Sequence, residues 1–303
     1  VTQLLFGQQN AYTAPWLAAR LGQSVTVHVE DFPHVAALRG DHAAYLGYLA
    51  ESWRMHPLWN TVARRKEQLD RLLRWEPTAD QEPIEVITRP DGGVLIADGN
   101  HRAAVDYARG LPSSCKEMAL GPWFRRTTRN DSERYGTGLR GIPYQSVYSG
   151  DQPIIVGRRT DTLSRHRLLL PDDIAGRRVL DLGCNIGGAS FLAARTAGEV
   201  LGVDSSSLIT TAAVRLGTYL TSPVRFRVAD LKTKSLEGWD TVLCFAVLAH
   251  IKDLRAIRRT LASARVVYVE ENIGLATFPA VRRLFRHIER IPGGVRQLWR
   301  CET

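Results

Sequence analysis

The sequence predicts an α/β protein: a parallel sheet with crossover helices in the C-terminal half, preceded by a smaller α+β unit. Three observations predict this. From Arg178 onward, short apolar runs at Arg178–Leu182, Val200–Val203, Val224–Val228, Thr241–Phe245 and Val266–Val269 alternate with helical stretches. Ahead of them, strand and helix patterns follow one another without that alternation. Between the two lies a stretch rich in Gly, Arg, Thr and Ser, with Pro122 and Pro143 and no sustained apolar period, which reads as a linker or loop. The expected boundaries are 1–120, 121–150 and 151–303, and 303 residues suffice for two domains of ordinary size.

In the first unit a strand is expected at Ser24–Val29, a helix from His42 to Trp53 and a long amphipathic helix from Leu58 to Arg74. Strands at Ile84–Thr88 and Val94–Ala97 flank Pro90-Asp91-Gly92-Gly93, a hairpin signal because glycine tolerates the positive φ of such turns. A helix from His101 to Arg109 ends at Gly110.

No run approaches the ~18 apolar residues of a membrane span, and Val1–Phe6 lacks a basic signal-peptide region, so a cytoplasmic protein is expected. Cys115, Cys184, Cys244 and Cys301 are scattered without a CxxC pair, so reduced thiols and no metal are expected. The net charge of +9 suits acidic partners such as nucleic acid or phosphorylated sugars, or else marks solvated helix faces.

The segment Val179-Leu180-Asp181-Leu182-Gly183-Cys184-Asn185-Ile186-Gly187-Gly188 is a strand running into a glycine-rich turn that opens a helix, where free N–H groups face a ligand. A third glycine is missing from the dinucleotide pattern, Phe191 standing near the helix contact, which argues against a nicotinamide enzyme. Asp204, followed by Ser205, ends the second strand, where a carboxylate can accept from a ribose diol; Asp230 ends the third, placed for an adenine amine. With the fourth-strand segment Cys244-Phe245-Ala246-Val247-Leu248-Ala249-His250-Ile251, these residues resemble the class I S-adenosylmethionine-dependent methyltransferases over about Arg177 to Thr303. The resemblance implies a Rossmann-like seven-stranded domain that binds S-adenosyl-L-methionine. Asp181, Gly183, Cys184, Asn185 and Gly187 would lie at the methionine part, Asp204 and Ser205 at the ribose, Asp230 and Leu231 at the adenine, and Phe245 under the sulfonium. It also implies that Phe285–Ile291 and Val295–Cys301 form an antiparallel hairpin closing the sheet.

Methyl transfer to a hydroxyl needs an oriented acceptor and a base. His250, at the carboxyl edge of the fourth strand, is the first candidate, although it could equally bond locally; Glu270 and Glu271, followed by Asn272, are second candidates. The lead-in from Tyr144-Gln145-Ser146-Val147 through Arg158-Arg159 to Arg165 and Arg167 loosely resembles segments ahead of this domain in enzymes acting on small molecules and glycans. Its arginines are read either as a clamp for an acidic acceptor or as solvated surface.

Val94-Leu95-Ile96-Ala97-Asp98-Gly99-Asn100-His101-Arg102-Ala103-Ala104 runs strand, turn, helix, and resembles the phosphate-binding turn of the ParB and sulfiredoxin-like fold over about Ser24 to Leu120. That resemblance implies a nucleotide or phosphate ligand at Asp98, Gly99, Asn100, His101 and Arg102. The turn has no cysteine for redox chemistry; a kinase would need a carboxylate such as Glu30, Asp31 or Asp98. The expected function is methylation of a hydroxyl on a sugar, glycan or small polar metabolite. The alternatives are a bifunctional kinase and methyltransferase, or a nucleic-acid-binding regulator carrying a methyltransferase-like module; the lack of a helix-turn-helix or aromatic-basic motif disfavours the regulator.

Overall fold

A computed structural model describes residues 4–7, 26–52, 60–76, 78, 81–125, 143–271 and 278–303. The chain divides into two compact units, Val1–Thr127 with Thr218–Thr221, and Thr128–Gly217 with Ser222–Thr303.

In the first unit a five-stranded mixed sheet has the order β2-β1-β4-β3-β5, formed by β1 (Leu4–Gly7), β2 (Thr26–His28), β3 (Ile84–Thr88), β4 (Val94–Asp98) and β5 (Cys115–Glu117). β3 and β4 are the expected antiparallel hairpin, with Gly92 at φ 83° and Arg89 N–H bonded to the Gly93 carbonyl at 2.8 Å. β1 and β5 were not anticipated: both are short, and β5 is exposed throughout, so it has no buried face for a pattern to mark.

Helices α1 (Pro33–Leu38), α2 (His42–Ser52), α3 (Val62–Leu73) and α4 (Asn100–Arg109) belong to this unit. Thr61 caps α3, its hydroxyl accepting from Arg64 N–H at 3.2 Å, which starts that helix four residues later than the apolar pattern suggests. Ser24, Trp53, Leu58 and the start of the chain fall outside the described residues. Phe32, Val35, Ile84, Val86, Ile96, Ala103 and Ala104 form one buried cluster. Tyr45, Leu49, Leu69, Leu72 and Val105 are buried in a second, with Ala37.

Into this aromatic-rich interior the fold places His34, stacked on Phe32 at 4.1 Å and edge-on to Tyr45 and His101 at 4.6 and 4.7 Å. Burial, reinforced by each histidine's cationic neighbours, holds the pKa of both below the usual 6.5: His101 acts on His34, and Arg71 acts on His101 against an opposing pull from Asp98. A histidine whose folded pKa is lowered contributes stability that is complete above its unfolded pKa, near 6.5, and is lost as pH falls below it. The protection factors of α1 and α3 amides, taken against the intrinsic exchange rate at each pH, are therefore expected to fall from pH 7.5 to pH 5.5, with a shallower dependence in His34→Leu; equal pH dependence in the two proteins would contradict this.

The region expected as a linker is partly structured. Residues 120–125 are helical, with Trp123 and Phe124 buried, and residues 143–150 pack into the second unit through Gln145, Ser146 and Val147. Apolar and hydrogen-bonded anchors there are sparse, so periodicity misses them. Strands β6 (Val147–Ser149) and β7 (Gln152–Ile155) pair antiparallel. Two short helices follow, α5 (Thr162–His166) and α6 (Pro171–Ile174).

The second unit is then a seven-stranded sheet of order β10-β9-β8-β11-β12-β14-β13. Its strands are β8 (Arg178–Leu182), β9 (Glu199–Asp204), β10 (Arg225–Val228), β11 (Thr241–Phe245), β12 (Val266–Glu270), β13 (His287–Ile291) and β14 (Leu298–Glu302). The first five are parallel, and β14 runs antiparallel between β12 and β13. β11 and β12 are buried at every residue because helices cover a crossover sheet on both faces. The helices are α7 (Gly188–Ala193), α8 (Ser207–Tyr219) and α9 (Arg255–Ala262). Strand order reverses between β8 and β11, and ligands of open α/β sheets bind outside the carboxyl ends of the strands at such a switch point. No described helix is long and apolar enough to cross a membrane.

Candidate active site

A cavity of about 870 Å³ opens at this switch point. Its wall takes Gly183 and Asn185 from the turn after β8, Asp204 and Ser205 from the end of β9, Asp230 and Leu231 from after β10, and Phe245 and His250 from the end of β11 and beyond. The sheet therefore brings together eight residues singled out in the sequence.

The turn after β8 is held by its backbone. Gly183 adopts φ 64°, and a side chain there would meet Val247 at 2.7 Å; Asn185 takes φ 51°, which asparagine tolerates. Asn185 N–H donates to Asp204 at 3.2 Å and Ser206 N–H to the other oxygen of the same carboxylate at 3.0 Å, so Asp204 ties two ligand-facing loops together. Burial pushes the Asp204 pKa up, against those backbone donors. Asp230 accepts from Lys232 N–H at 3.0 Å. Ala246 has φ 59°, a left-handed conformation that its N–H bond to the Glu270 carbonyl (2.9 Å) fixes at the cavity wall.

Three expected cofactor residues stand behind the wall. Gly187 caps α7 at φ 88°, and a side chain there would meet Phe226 at 2.7 Å and Phe191 at 2.8 Å, so these rings, edge-to-face at 5.4 Å, occupy the space the glycine leaves. Cys184 is fully buried, and its N–H bonds the Val203 carbonyl. Asp181 is buried, accepts from the Ser190 hydroxyl at 2.6 Å, and has its pKa pushed up to about 6 by burial. A carboxyl whose folded pKa is raised costs stability as pH rises from its unfolded pKa, near 4, through 6. Asp181→Asn is expected to raise stability by about 2–3 kcal/mol at pH 8. The gain should vanish near pH 4.5; equal gains at both pH values in urea titrations would contradict it.

Glu270, expected as a candidate base, is 3% exposed and closed in by cations. Its oxygens accept from Arg159 at 2.8 and 3.1 Å and from Arg165 at 2.9 Å. Arg159 also grips Asp161 at 2.5 and 2.7 Å. Arg159 and Arg165 are thus buried cations, which corrects the solvated-surface reading for these two arginines. Arg167 is exposed and pairs with Asp151. Glu271 accepts from Phe278 N–H at 2.9 Å, and Asn272 lies outside the described residues. Neither Glu270 nor Glu271 lines the cavity; His250 does.

Sequence reasoning assigned no site role to Gln145, Lys232, Ile251 or Arg296, all on the cavity wall. Arg296 gets there because the Pro292-Gly293-Gly294 turn returns the chain to β14, beside β12, a topology no local pattern displays.

In the first unit, Gly99 caps α4 at φ 94° and its N–H bonds Asp98 at 2.7 Å. Arg102 folds over Gly99 and donates to the Pro83 carbonyl at 3.3 Å, while Glu30 accepts from the Tyr107 hydroxyl. His101 stacks on Trp75, and burial together with the Arg71 charge lowers its pKa. Asn100 Oδ1 is buried without a partner among the described residues. A separate cavity of about 570 Å³ is lined by Arg71, Arg74, Trp75, Glu82 and Arg102, among others. No group of three metal-ligating side chains occurs among the described residues.

Residues 180–265 match the family model described as a methyltransferase domain. Over 131 residues the chain is 37% identical to the magnesium-protoporphyrin O-methyltransferase of Rhodobacter capsulatus, covering 41% of this chain and 58% of that one. It is 36% identical over 88 residues to phosphoethanolamine N-methyltransferase 1 of Triticum aestivum, covering 28% and 18%. It is 34% identical over 93 residues to a ubiquinone biosynthesis O-methyltransferase of Xanthomonas oryzae pv. oryzae, covering 30% and 39%. The chain thus spans less than two thirds of each of these relatives. Among solved structures, the N-terminal domain of EvdMO1 with S-adenosylhomocysteine and D-fucose aligns at a TM-score of 0.45 and 18% identity, over 59% of this chain and 96% of that one. The stretch that matches the family model lies in the second unit, and these curated relatives are all methyltransferases.

Proposed function

We propose that the chain is an S-adenosylmethionine-dependent methyltransferase that methylates a hydroxyl of a sugar, glycan or other small polar metabolite. The observation that carries this reading is the single cavity at the switch point, with Asp204 and Asp230 on adjacent strand ends and His250 on the same wall. The residues suit the cofactor. Asp204 keeps lone pairs for a ribose diol beyond its two backbone bonds, Asn185 Oδ1 is a buried acceptor without a partner, and the volume falls in the roughly 300–1,000 Å³ range of small-molecule sites. Bound there, the cofactor supplies a methyl group on a sulfonium.

The protein's own work is positional and protolytic. Asp204 and Ser205 hold the ribose, Asp230 and Leu231 the adenine, and Phe245 bounds the reacting end. His250 takes the acceptor's proton as the new bond to oxygen forms. The O-methyltransferase relatives support an oxygen acceptor. Label transfer from methyl-labelled cofactor to a panel of sugars and phenols tests the reading; no transfer to any hydroxyl, with transfer to amines instead, would sink it. His250→Gln is expected to lower kcat about 100-fold with S-adenosylhomocysteine affinity intact. An unchanged kcat would remove His250 as base.

For the first unit we propose a phosphate-bearing ligand in the 570 Å³ cavity, supported by the three guanidinium groups on its wall. Calorimetric titration with ATP is expected to show saturable binding weakened about tenfold in Arg102→Met. Absence of heat with both ATP and inorganic phosphate would refute it.

A further inference from the structure

The wall of the switch-point cavity divides into two halves along the sheet. At one end stand Asp230 and Lys232, after β10, followed by Asp204 at the end of β9. The other half begins past β8: Phe245 closes β11, His250 follows it, and Arg296 comes just ahead of β14. Both acids of the wall, Asp204 and Asp230, belong to the first half, where the proposed reading gives them to the adenosine. Among the described wall residues the second half holds a guanidinium and no carboxylate.

The backbone sets Arg296 at that position. β14 enters the sheet antiparallel beside β12, and Glu271 N–H donates to the Gln297 carbonyl at 3.1 Å, which ties the chain next to Arg296 to the carboxyl end of β12. The turn ahead of it is tight: Gly293 has φ 90°, and a side chain at Gly294 would meet the Arg296 carbonyl oxygen at 2.9 Å. β11 pairs with β12, so His250, after one strand, and Arg296, beside the other, come from neighbouring strand ends. Arg296 is half-buried, and a charge bonded to it is screened less than on open surface. Its planar fork matches a carboxylate or a phosphate with two parallel bonds. An acceptor bearing such a group beside its hydroxyl meets a cation on this half of the wall and no described carboxylate that would repel it.

We propose that the methyl acceptor is an acidic hydroxy compound, its carboxylate or phosphate held by Arg296 while its hydroxyl stands at His250. This rests on the methyltransferase reading and deepens it, narrowing the acceptor from polar metabolites in general to anionic ones. Arg296 acts on specificity: it binds the acceptor away from the reacting oxygen and takes no proton.

The test loads the full chain with S-adenosylhomocysteine and titrates matched ligands by calorimetry: glucose, glucuronate and glucose-6-phosphate, then protocatechuyl alcohol and protocatechuate. An acidic member is expected to bind about 10- to 100-fold more tightly than its neutral counterpart, and the carboxylate and phosphate arms show which acid the site takes. In Arg296→Met that gap falls below about threefold through loss of the acid's affinity alone, with S-adenosylhomocysteine bound as in wild type. Arg296→Lys, which keeps the charge without the fork, restores part of the gap and carries the test if the methionine variant does not fold. Where label transfer to the acid is measured, Arg296→Met raises KM and leaves kcat within about twofold. A panel in which no acid is preferred, or a gap that survives in Arg296→Met, overturns the assignment. An equal loss of S-adenosylhomocysteine affinity in that variant places Arg296 on the cofactor and also overturns it. Wild-type protein that binds no S-adenosylhomocysteine overturns the reading beneath it.

Discussion

Asp204→Ala is expected to lower the affinity for S-adenosylhomocysteine about 100- to 10,000-fold. The proposed ribose contact supplies two charge-assisted hydrogen bonds, each contributing roughly 1.5–3 kcal/mol, and about 1.4 kcal/mol is a factor of ten. Alanine also removes the shared acceptor of Asn185 and Ser206 N–H, so the two loops that Asp204 ties together lose their common anchor. Asp204→Asn keeps an acceptor oxygen and the side-chain shape, and should fall between alanine and wild type. Calorimetry on the folded variants checks the order; an alanine variant with unimpaired affinity would remove Asp204 from the site.

Glu270→Leu is expected to destabilise the second unit by about 3–5 kcal/mol, because it strands two buried cations. Arg159 is 8% exposed and Arg165 4%, and neither can reach water to recover its hydration. Arg159 keeps Asp161, so the larger share of the penalty falls on Arg165, whose side chain has no other hydrogen-bond acceptor among the described residues. Hydrogen exchange of β12 in the variant reports the loss, and a change under about 1 kcal/mol would show that the network is not the anchor its geometry indicates. The same variant separates positioning from proton transfer. With His250 as base, a folded Glu270→Gln protein keeps the wild-type pH dependence of kcat, whereas a base at Glu270 would abolish the acidic limb.

What the sequence displayed was whatever depends on neighbours along the chain. Asp204 ends the apolar run of β9 and Asp230 follows β10 by two residues, so both stand out at strand ends, while Asp181-Leu182-Gly183 is marked by the glycine turn after it. The Pro90–Gly93 hairpin and the Gly110 cap follow from single-residue backbone preferences. What stayed hidden depends on partners far away in the chain. Arg159 and Arg165 look like any surface arginines until Glu270, over 100 residues later, is brought against them by β12. Gln145 sits in a stretch whose composition reads as a loop, and is buried because the second unit folds around it. Arg296 reaches the cavity only because β14 inserts between β12 and β13. His101 stands at a motif position suited to an anion, and its packing against His34 and Trp75, which come from other elements, was equally hidden.

The central claim is that the cavity at the switch point of the second unit is a working cofactor site. Isothermal titration of the intact protein with S-adenosylhomocysteine tests it most directly. The account predicts saturable binding at one site per chain with a micromolar or tighter dissociation constant, weakened at least about 100-fold in Asp204→Ala; a wild-type protein that takes up no S-adenosylhomocysteine at millimolar concentration would contradict it.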